Sequence, residues 1–130
     1  MKKLIVLLLA AALLLTACSP STKFPMTSQH EKYGRKALEI ADAYLDFDLT
    51  LDEAKEKIDA LQKSEASLPE PGEDEKVGSI SMEVRVGSLQ SAFFHAALRA
   101  DGLYGLASEE DADILKARNN LAEVLGVKAR

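Results

Sequence analysis

Apolar residues recur every three or four positions from residue 28 onward, a spacing that places them on one face of an α-helix. The first stripe consists of Tyr33, Ala37, Ile40, Tyr44 and Phe47. The second stripe consists of Leu51, Ala54, Ile58 and Leu61. Because the connection between them is only about two to four residues long, the predicted helices 29–47 and 51–66 should fold back on each other as an αα-hairpin.

Helix-start signals precede both stripes. In a capping box, the N-cap hydroxyl accepts a hydrogen bond from the amide three residues later, and a glutamate at that position reaches back to the N-cap amide. Ser28 with Glu31 and Thr50 with Glu53 match this pattern. We therefore expect Ser28 and Thr50 to be the N-cap residues of the first two helices.

A third helix is predicted over 75–100, although part of this region also fits a strand. Residues 80–86 alternate apolar and polar side chains, which is the strand pattern. The helical stripe consists of Met82, Val86, Leu89, Phe93, Ala96 and Ala100. We favour the helix because its pattern continues well beyond residue 86, whereas a strand would lack a partner strand. Since an interior glycine costs about 1 kcal/mol, we expect the helix to be frayed near Gly78.

The last predicted helix covers residues 109–125. Ser108 begins a pattern similar to a capping box, and Gly126 occupies the position where glycine commonly ends a helix. Pro69, Pro71 and Gly72 make residues 64–74 the main internal linker. The predicted fold of residues 28–130 is therefore all-α, a small three- to four-helix bundle built on the αα-hairpin.

The first 17 residues do not fit this domain. Lys2 and Lys3 precede an unbroken run of Leu, Ile, Val and Ala from Leu4 to Leu15. Twelve residues at ~1.5 Å each reach about 18 Å, well short of the roughly 30 Å of a hydrocarbon core. We therefore predict that the segment is a signal peptide and not a transmembrane helix.

The sequence Leu15-Thr16-Ala17-Cys18 resembles the lipobox of bacterial lipoproteins, and it contains the only cysteine of the chain. The resemblance implies cleavage between Ala17 and Cys18, a diacylglyceryl thioether on Cys18 and acylation of the new amino terminus. Ser19 in place of aspartate implies the outer membrane where two membranes exist, and otherwise the outer face of the cell membrane. The alternative is an ordinary secretory peptide, or a short membrane anchor, with a chance cysteine.

Residues 18–27 contain two prolines and small polar side chains, so they are predicted to be a flexible tether after the lipidated cysteine. The segment Tyr33-Gly34-Arg35-Lys36-Ala37-Leu38 resembles the first helix of small helical lipoproteins of bacteria. That second resemblance implies no activity.

The charge and the numbers of cysteine and histidine residues limit the classes of partner and ligand that the chain could bind. The 130 residues include 16 basic and 21 acidic side chains, a net charge of −5. Residues 1–17 hold two of the basic residues and none of the acidic ones, so residues 18–130 carry a net charge of −7. This balance argues against nucleic acid as a partner. One cysteine and two histidines provide neither a disulfide nor a four-ligand zinc site without carboxylates, and we expect no metal or cofactor.

No recognised catalytic motif occurs. The acidic residues between Asp46 and Glu53 depart from the calcium-binding loop pattern and are explained by helix termination and capping. His30 is expected to be exposed in the first turn of its helix, and His95 to flank a packed one. A small envelope hydrolase would require a nucleophile and base clustered by the fold.

Four aromatic residues at helical spacing, Tyr33, Tyr44, Phe47 and Phe93, are predicted to pack in the core. Phe94, one residue away from that stripe, and Tyr104 are the candidates for exposed contacts, with Arg99 as a nearby cation. The leading hypothesis is a non-enzymatic, lipid-anchored accessory or protein-interaction module of the bacterial cell envelope. The alternative is a small-ligand or peptide-binding lipoprotein with a pocket between helices that uses Phe94, Arg99 and Tyr104.

Overall fold

A computed structural model describes residues 22–100 and 110–130 of the chain. Four α-helices lie in these ranges: α1 Ser28–Leu45, α2 Leu51–Lys63, α3 Lys76–Ala100 and α4 Glu110–Leu125. Two 3₁₀ turns lie between α2 and α3: Ser64–Ser67 is inside the predicted linker 64–74, and Glu73–Glu75 extends one residue beyond it. The all-α prediction is confirmed, and the strand alternative is wrong because residues 80–86 lie inside α3.

Helices α1 and α3 form the centre of the bundle. They contact each other, and each also packs against both α2 and α4. The aromatic rings of Tyr44 on α1 and Phe93 on α3 meet edge to face, with centroids 5.4 Å apart. The fully buried large apolar side chains come from α2, α3 and α4: Ile58, Met82, Val86, Leu89, Phe93, Ile114, Leu121 and Leu125.

The start of α1 differs from the prediction by one residue. The N-cap is Thr27, whose backbone is extended and whose hydroxyl accepts a hydrogen bond from the amide of His30 at 3.1 Å. The hydroxyl of Ser28 is instead bonded to Gln29, and Glu31 accepts from Arg35. Ser28 is therefore not the cap, because the residue before it is already positioned to fill that role.

The capping box predicted at the start of α2 is confirmed. The Thr50 hydroxyl accepts a hydrogen bond from the amide of Glu53 at 3.2 Å, and the Glu53 carboxylate accepts from the amide of Thr50 at 2.9 Å. Local sequence was sufficient here because both partners lie within one turn.

Residues 22–27, which we call the N-terminal strap, are held against the bundle. The amide of Lys23 donates to the carbonyl of Val124 at the end of α4 at 2.9 Å, and its side chain pairs with Glu123 at 2.6 Å. Further along, the amide of Thr27 donates to the hydroxyl of Ser79 on α3 at 3.3 Å. The folded domain therefore includes the second half of the segment predicted as tether.

Gly78 is buried beneath this strap and is not at a frayed end. A Cβ atom at position 78 would lie 2.1 Å from the carbonyl oxygen of Pro25. Glycine is required there because the two backbones approach too closely for any side chain. The predicted fraying was wrong because contact with the strap compensates for the low helix propensity of glycine.

Helices α1 and α4 end in the same hydrogen-bonded motif, with a left-handed residue just beyond the helix. In α4 this residue is Gly126, at φ 70°, as the sequence predicted. In α1 it is Phe47, at φ 63°, whose amide donates to the carbonyl of Tyr44 at 3.1 Å. Phe47 is 91% exposed, so its predicted place in the core was wrong: α1 ends at Leu45 and the turn directs the ring outward.

A buried arginine ties the C-terminal tail to α1. Arg118 on α4 donates to the two carboxylate oxygens of Asp42 at 2.8 and 3.1 Å, and also to the carbonyl of Lys128 at 2.8 Å. Arg130 in turn pairs with Asp42 and Asp46. Burial alone would raise the pKa of Asp42, but the hydrogen bonds and charges of Arg118 and Arg130 outweigh it and hold that pKa below its usual value.

The two helix ends predict stability changes of opposite sign. Phe47→Gly should raise the free energy of unfolding by about 1 kcal/mol, because glycine has no steric penalty in the left-handed region. The matched Gly126→Ala variant should lower it by about 1 kcal/mol, since it introduces that penalty. Urea unfolding followed by circular dichroism measures both, and a destabilised Phe47→Gly variant would show that the ring supports the fold.

The Asp42 cluster predicts an acid-dependent loss of stability. A lowered pKa in the folded state means that ionised Asp42 stabilises the protein above about pH 4, and that this contribution disappears as the pH falls through the folded-state pKa. Asp42→Asn should therefore lose about 1–3 kcal/mol at pH 7 and show a flatter stability profile below pH ~4. Asp74→Asn, at an exposed position, is the control and should follow the wild-type profile; unfolding midpoints across pH test both.

Candidate functional site

The site residues predicted from sequence are only partly within the described ranges. Phe94 and Arg99 lie in the last turns of α3, where they line an open cleft of about 420 Å³ with His95 and Leu98. Phe94 is exposed, as predicted. Tyr104, and the predicted processing and lipidation residues Ala17 and Cys18, lie outside the described residues.

The cation of this cleft, Arg99, has a partner within the bundle. Arg99 donates to the carboxylate of Asp113 on α4 at 2.7 Å. The ammonium of Lys55 lies 6.0 Å from the centroid of the Phe94 ring and also pairs with Asp59 at 2.8 Å. The cleft therefore offers one aromatic face with a cation at its edge, and Arg99 is already occupied in joining α3 to α4.

A polar chain that the sequence did not predict connects Thr27, His30 and Glu83. His30 is fully buried, which contradicts the predicted exposure. Its Nδ1 lies 2.6 Å from the Thr27 hydroxyl, and its Nε2 lies 2.8 Å from a Glu83 carboxylate oxygen. An ionised carboxylate only accepts, so Nε2–H donates to Glu83, and in the neutral ring Nδ1 accepts from the Thr27 hydroxyl.

Hydroxyl, imidazole and carboxylate in this order resemble a nucleophile, its base and an orienting acid. A catalytic nucleophile also needs space for a reacting atom about 3 Å away. Thr27 is buried, and its hydroxyl already accepts the amide hydrogen of His30 as the helix cap. The geometry instead supports a structural role, in which the chain fixes the strap and α1 to α3.

A hydrogen bond between Tyr33 and Glu65 links α1 to the 3₁₀ turn that follows α2. The hydroxyl of Tyr33 donates to Glu65 in the first 3₁₀ turn at 2.8 Å. Burial raises the pKa of Tyr33, and the hydrogen bond and negative charge of Glu65 raise it further. Tyr33 therefore stays protonated and acts as a hydrogen-bond donor between helices.

A second cleft of about 420 Å³ lies at the α1–α2 turn. Its lining includes Tyr44, Leu49 and Leu51 together with the exposed Phe47. Sequence reasoning missed this site because the helical spacing assigned Phe47 to the core. The αL conformation is uncommon for a bulky residue, and no local sequence signal announces it.

The acidic residues near this turn have structural partners. Asp46 pairs with Arg130, and Glu53 accepts the amide hydrogen of Thr50 in the capping box. Within residues 22–100 and 110–130, no group of three or more His, Cys, Asp or Glu side chains is arranged to hold a metal ion.

Within residues 22–100 and 110–130, no helix combines the length and the hydropathy that a membrane span requires. Comparison of the chain with protein-family models, with curated proteins and with solved structures finds no match.

The buried imidazole predicts a large difference between two glutamate substitutions. Glu83→Ala leaves Nε2 of His30 without its acceptor and should lower the free energy of unfolding by about 1–3 kcal/mol. Glu73→Ala, at an exposed position before α3, should change it by less than about 0.5 kcal/mol. Chemical denaturation measures both, and equal stabilities would show that the polar chain does not hold the strap.

Proposed function

We propose that this protein is a lipid-anchored, extracytoplasmic helical lipoprotein of the bacterial cell envelope that acts as a non-enzymatic protein-interaction module. The observation that carries the proposal is Leu15-Thr16-Ala17-Cys18, which directly follows a short apolar run and contains the only cysteine. Two or three acyl chains on Cys18 would hold the domain on the cell membrane or the outer membrane.

The docked strap supports a position close to the membrane surface. Because the strap is held on the bundle from Lys23 onward, little chain remains between the fold and Cys18. The four Cα-to-Cα steps from Cys18 to Thr22 span at most about 14 Å. In this proposal the bilayer lies within one short tether of the bundle.

The α1–α2 turn supports a role in protein interaction. An exposed left-handed Phe47 costs about 1–2 kcal/mol relative to glycine, and solvent offers the ring no compensating contact. Backbone strain of this kind is characteristic of binding and switch sites. We propose that the ring and its adjoining cleft contact an envelope protein.

Two other functional hypotheses, ligand binding and hydrolysis, receive less support from the geometry. The ligand-binding alternative relies on the cleft at Phe94, where Arg99 is already paired with Asp113. A hydrolase that used the Thr27–His30–Glu83 chain would need the Thr27 hydroxyl to be accessible to substrate, but Thr27 is buried. Both therefore rank below the interaction module.

The proposal is tested in cells that are fed an alkyne-tagged fatty acid. Wild-type protein should carry the tag and sediment with membranes, whereas Cys18→Ser should lose both properties because it has no thiol to acylate. Wild-type protein found untagged in the soluble fraction would contradict the anchor.

The same cells test the interaction surface with a photo-crosslinking phenylalanine analogue at position 47. A discrete adduct should form at position 47 and not at position 57, an exposed site on α2 that serves as the control. Identical adduct patterns at both positions would contradict the interaction role while leaving the anchor intact.

A further inference from the structure

The cleft at the α1–α2 turn combines apolar and acidic lining residues. Its carboxylates belong to Asp48 and Glu53, and none of the described residues that line it is Lys, Arg or His. Asp48 is exposed, and its carboxylate takes part in no hydrogen bond or ion pair among the described residues. Glu53 uses its Oε2 atom for the capping box, which leaves Oε1 outside that contact. The cleft therefore carries negative charge that its own lining does not neutralise.

The acidic character extends over the whole turn. Residues 37–54 include six Asp or Glu side chains and no Lys or Arg. The last turn of α1 contains no basic residue, although the partial negative charge at the C-terminal end of a helix favours one there. Helix capping explains Glu53, but Asp48 neither caps a helix nor pairs with a cation of the described residues. This end of α1 therefore attracts a cation from outside the helix.

The chain itself places a guanidinium at this end of α1. Arg130 donates to Oδ1 of Asp42 at 3.1 Å and also pairs with Asp46, the residue directly before Phe47. These contacts form at the surface, because Arg130 is an exposed residue. The carboxylates beside Phe47 thus already bind one arginine side chain, and the carboxylate of Asp48 remains for another.

We infer that the cleft beside Phe47 binds an arginine-containing segment of a different envelope protein. The inference rests on the proposed interaction role of Phe47 and adds the chemistry of the partner. A planar guanidinium stacks on an aromatic face while its N–H groups donate to carboxylates, which a lysine ammonium does less well. Phe47 is 91% exposed and offers the aromatic face, and Asp48 in the same cleft offers the acceptor. An acidic segment would be repelled by the same charges.

The apolar part of the cleft sets a second requirement on the partner. Tyr44, Leu49 and Leu51 line the cleft and are only partly buried by the bundle. Covering their remaining apolar surface is favourable by about 25 cal/mol for each Å² removed from water. We therefore expect an apolar side chain next to the arginine of the partner segment.

The test uses the full-length protein in cells, with the photo-crosslinking phenylalanine analogue at position 47. The analogue keeps an aromatic ring at that position. Mass spectrometry of the digested adduct identifies the partner segment that lies against the ring. This segment should contain an arginine beside the crosslinked residue or within a few positions of it.

A charge reversal in the cleft tests the same inference independently of the partner's identity. Asp48→Lys should lower the yield of the adduct about three- to tenfold, because it replaces an attraction for the guanidinium with a repulsion. The matched control is Asp74→Lys, which makes the same change in net charge at an exposed position before α3 and should leave the yield unchanged. Circular dichroism melting verifies that Asp48→Lys is folded; if it is not, Asp48→Asn replaces it and should give a smaller decrease.

The outcomes separate this inference from the proposed function. An unchanged yield in a folded Asp48 variant, or a crosslinked segment without an arginine, would overturn the inference and leave the interaction role of Phe47 standing. A crosslink to a second copy of this chain would overturn it as well, because the partner would then not be a different protein. The absence of any discrete adduct at position 47 would overturn the proposed interaction role itself.

Discussion

The position of the strap depends on the buried hydrogen-bonded chain from Thr27 through His30 to Glu83. A fully buried imidazole needs a partner on each nitrogen. Thr27 provides one of them while also capping α1 and donating its amide to Ser79 on α3. One residue thus joins the strap, the first helix and the central helix. The contacts of Thr27 fix the strap on the bundle. They therefore determine how many residues separate the folded domain from Cys18.

The helices were predictable because each apolar stripe extends over several turns and each capping pattern lies within a few neighbouring residues. The stripe of α3 extends well past the seven residues that resemble a strand, and Thr50 and Glu53 cap α2 within a single turn. The junction was not predictable in the same way. Glu83 lies 53 residues from His30, so nothing in the first turn of α1 announces a buried imidazole. Gly78 likewise indicates a weak helix when it is considered alone, because its contact with the strap at Pro25 is not visible in the local sequence.

The candidate sites were predictable only in part, for related reasons. Phe94 lies beside the core stripe and is exposed as its angular position indicated, but the ion pair that occupies Arg99 requires knowledge of how α4 packs. Phe47 follows the helical spacing, yet α1 ends two residues earlier and the backbone turns left-handed. The exposed apolar residues Val77, Ile80 and Val84 on α3 were not distinguished in advance, because the buried and exposed apolar positions of that helix alternate in one sequence.

The proposed anchoring of this domain through Cys18 can be tested by intact mass spectrometry of the protein purified from the membrane fraction. We expect a chain that begins at Cys18 and carries the added mass of a diacylglyceryl group, with or without a further acyl chain. A protein that retains residues 1–17, or one that begins elsewhere with an unmodified Cys18, would contradict it.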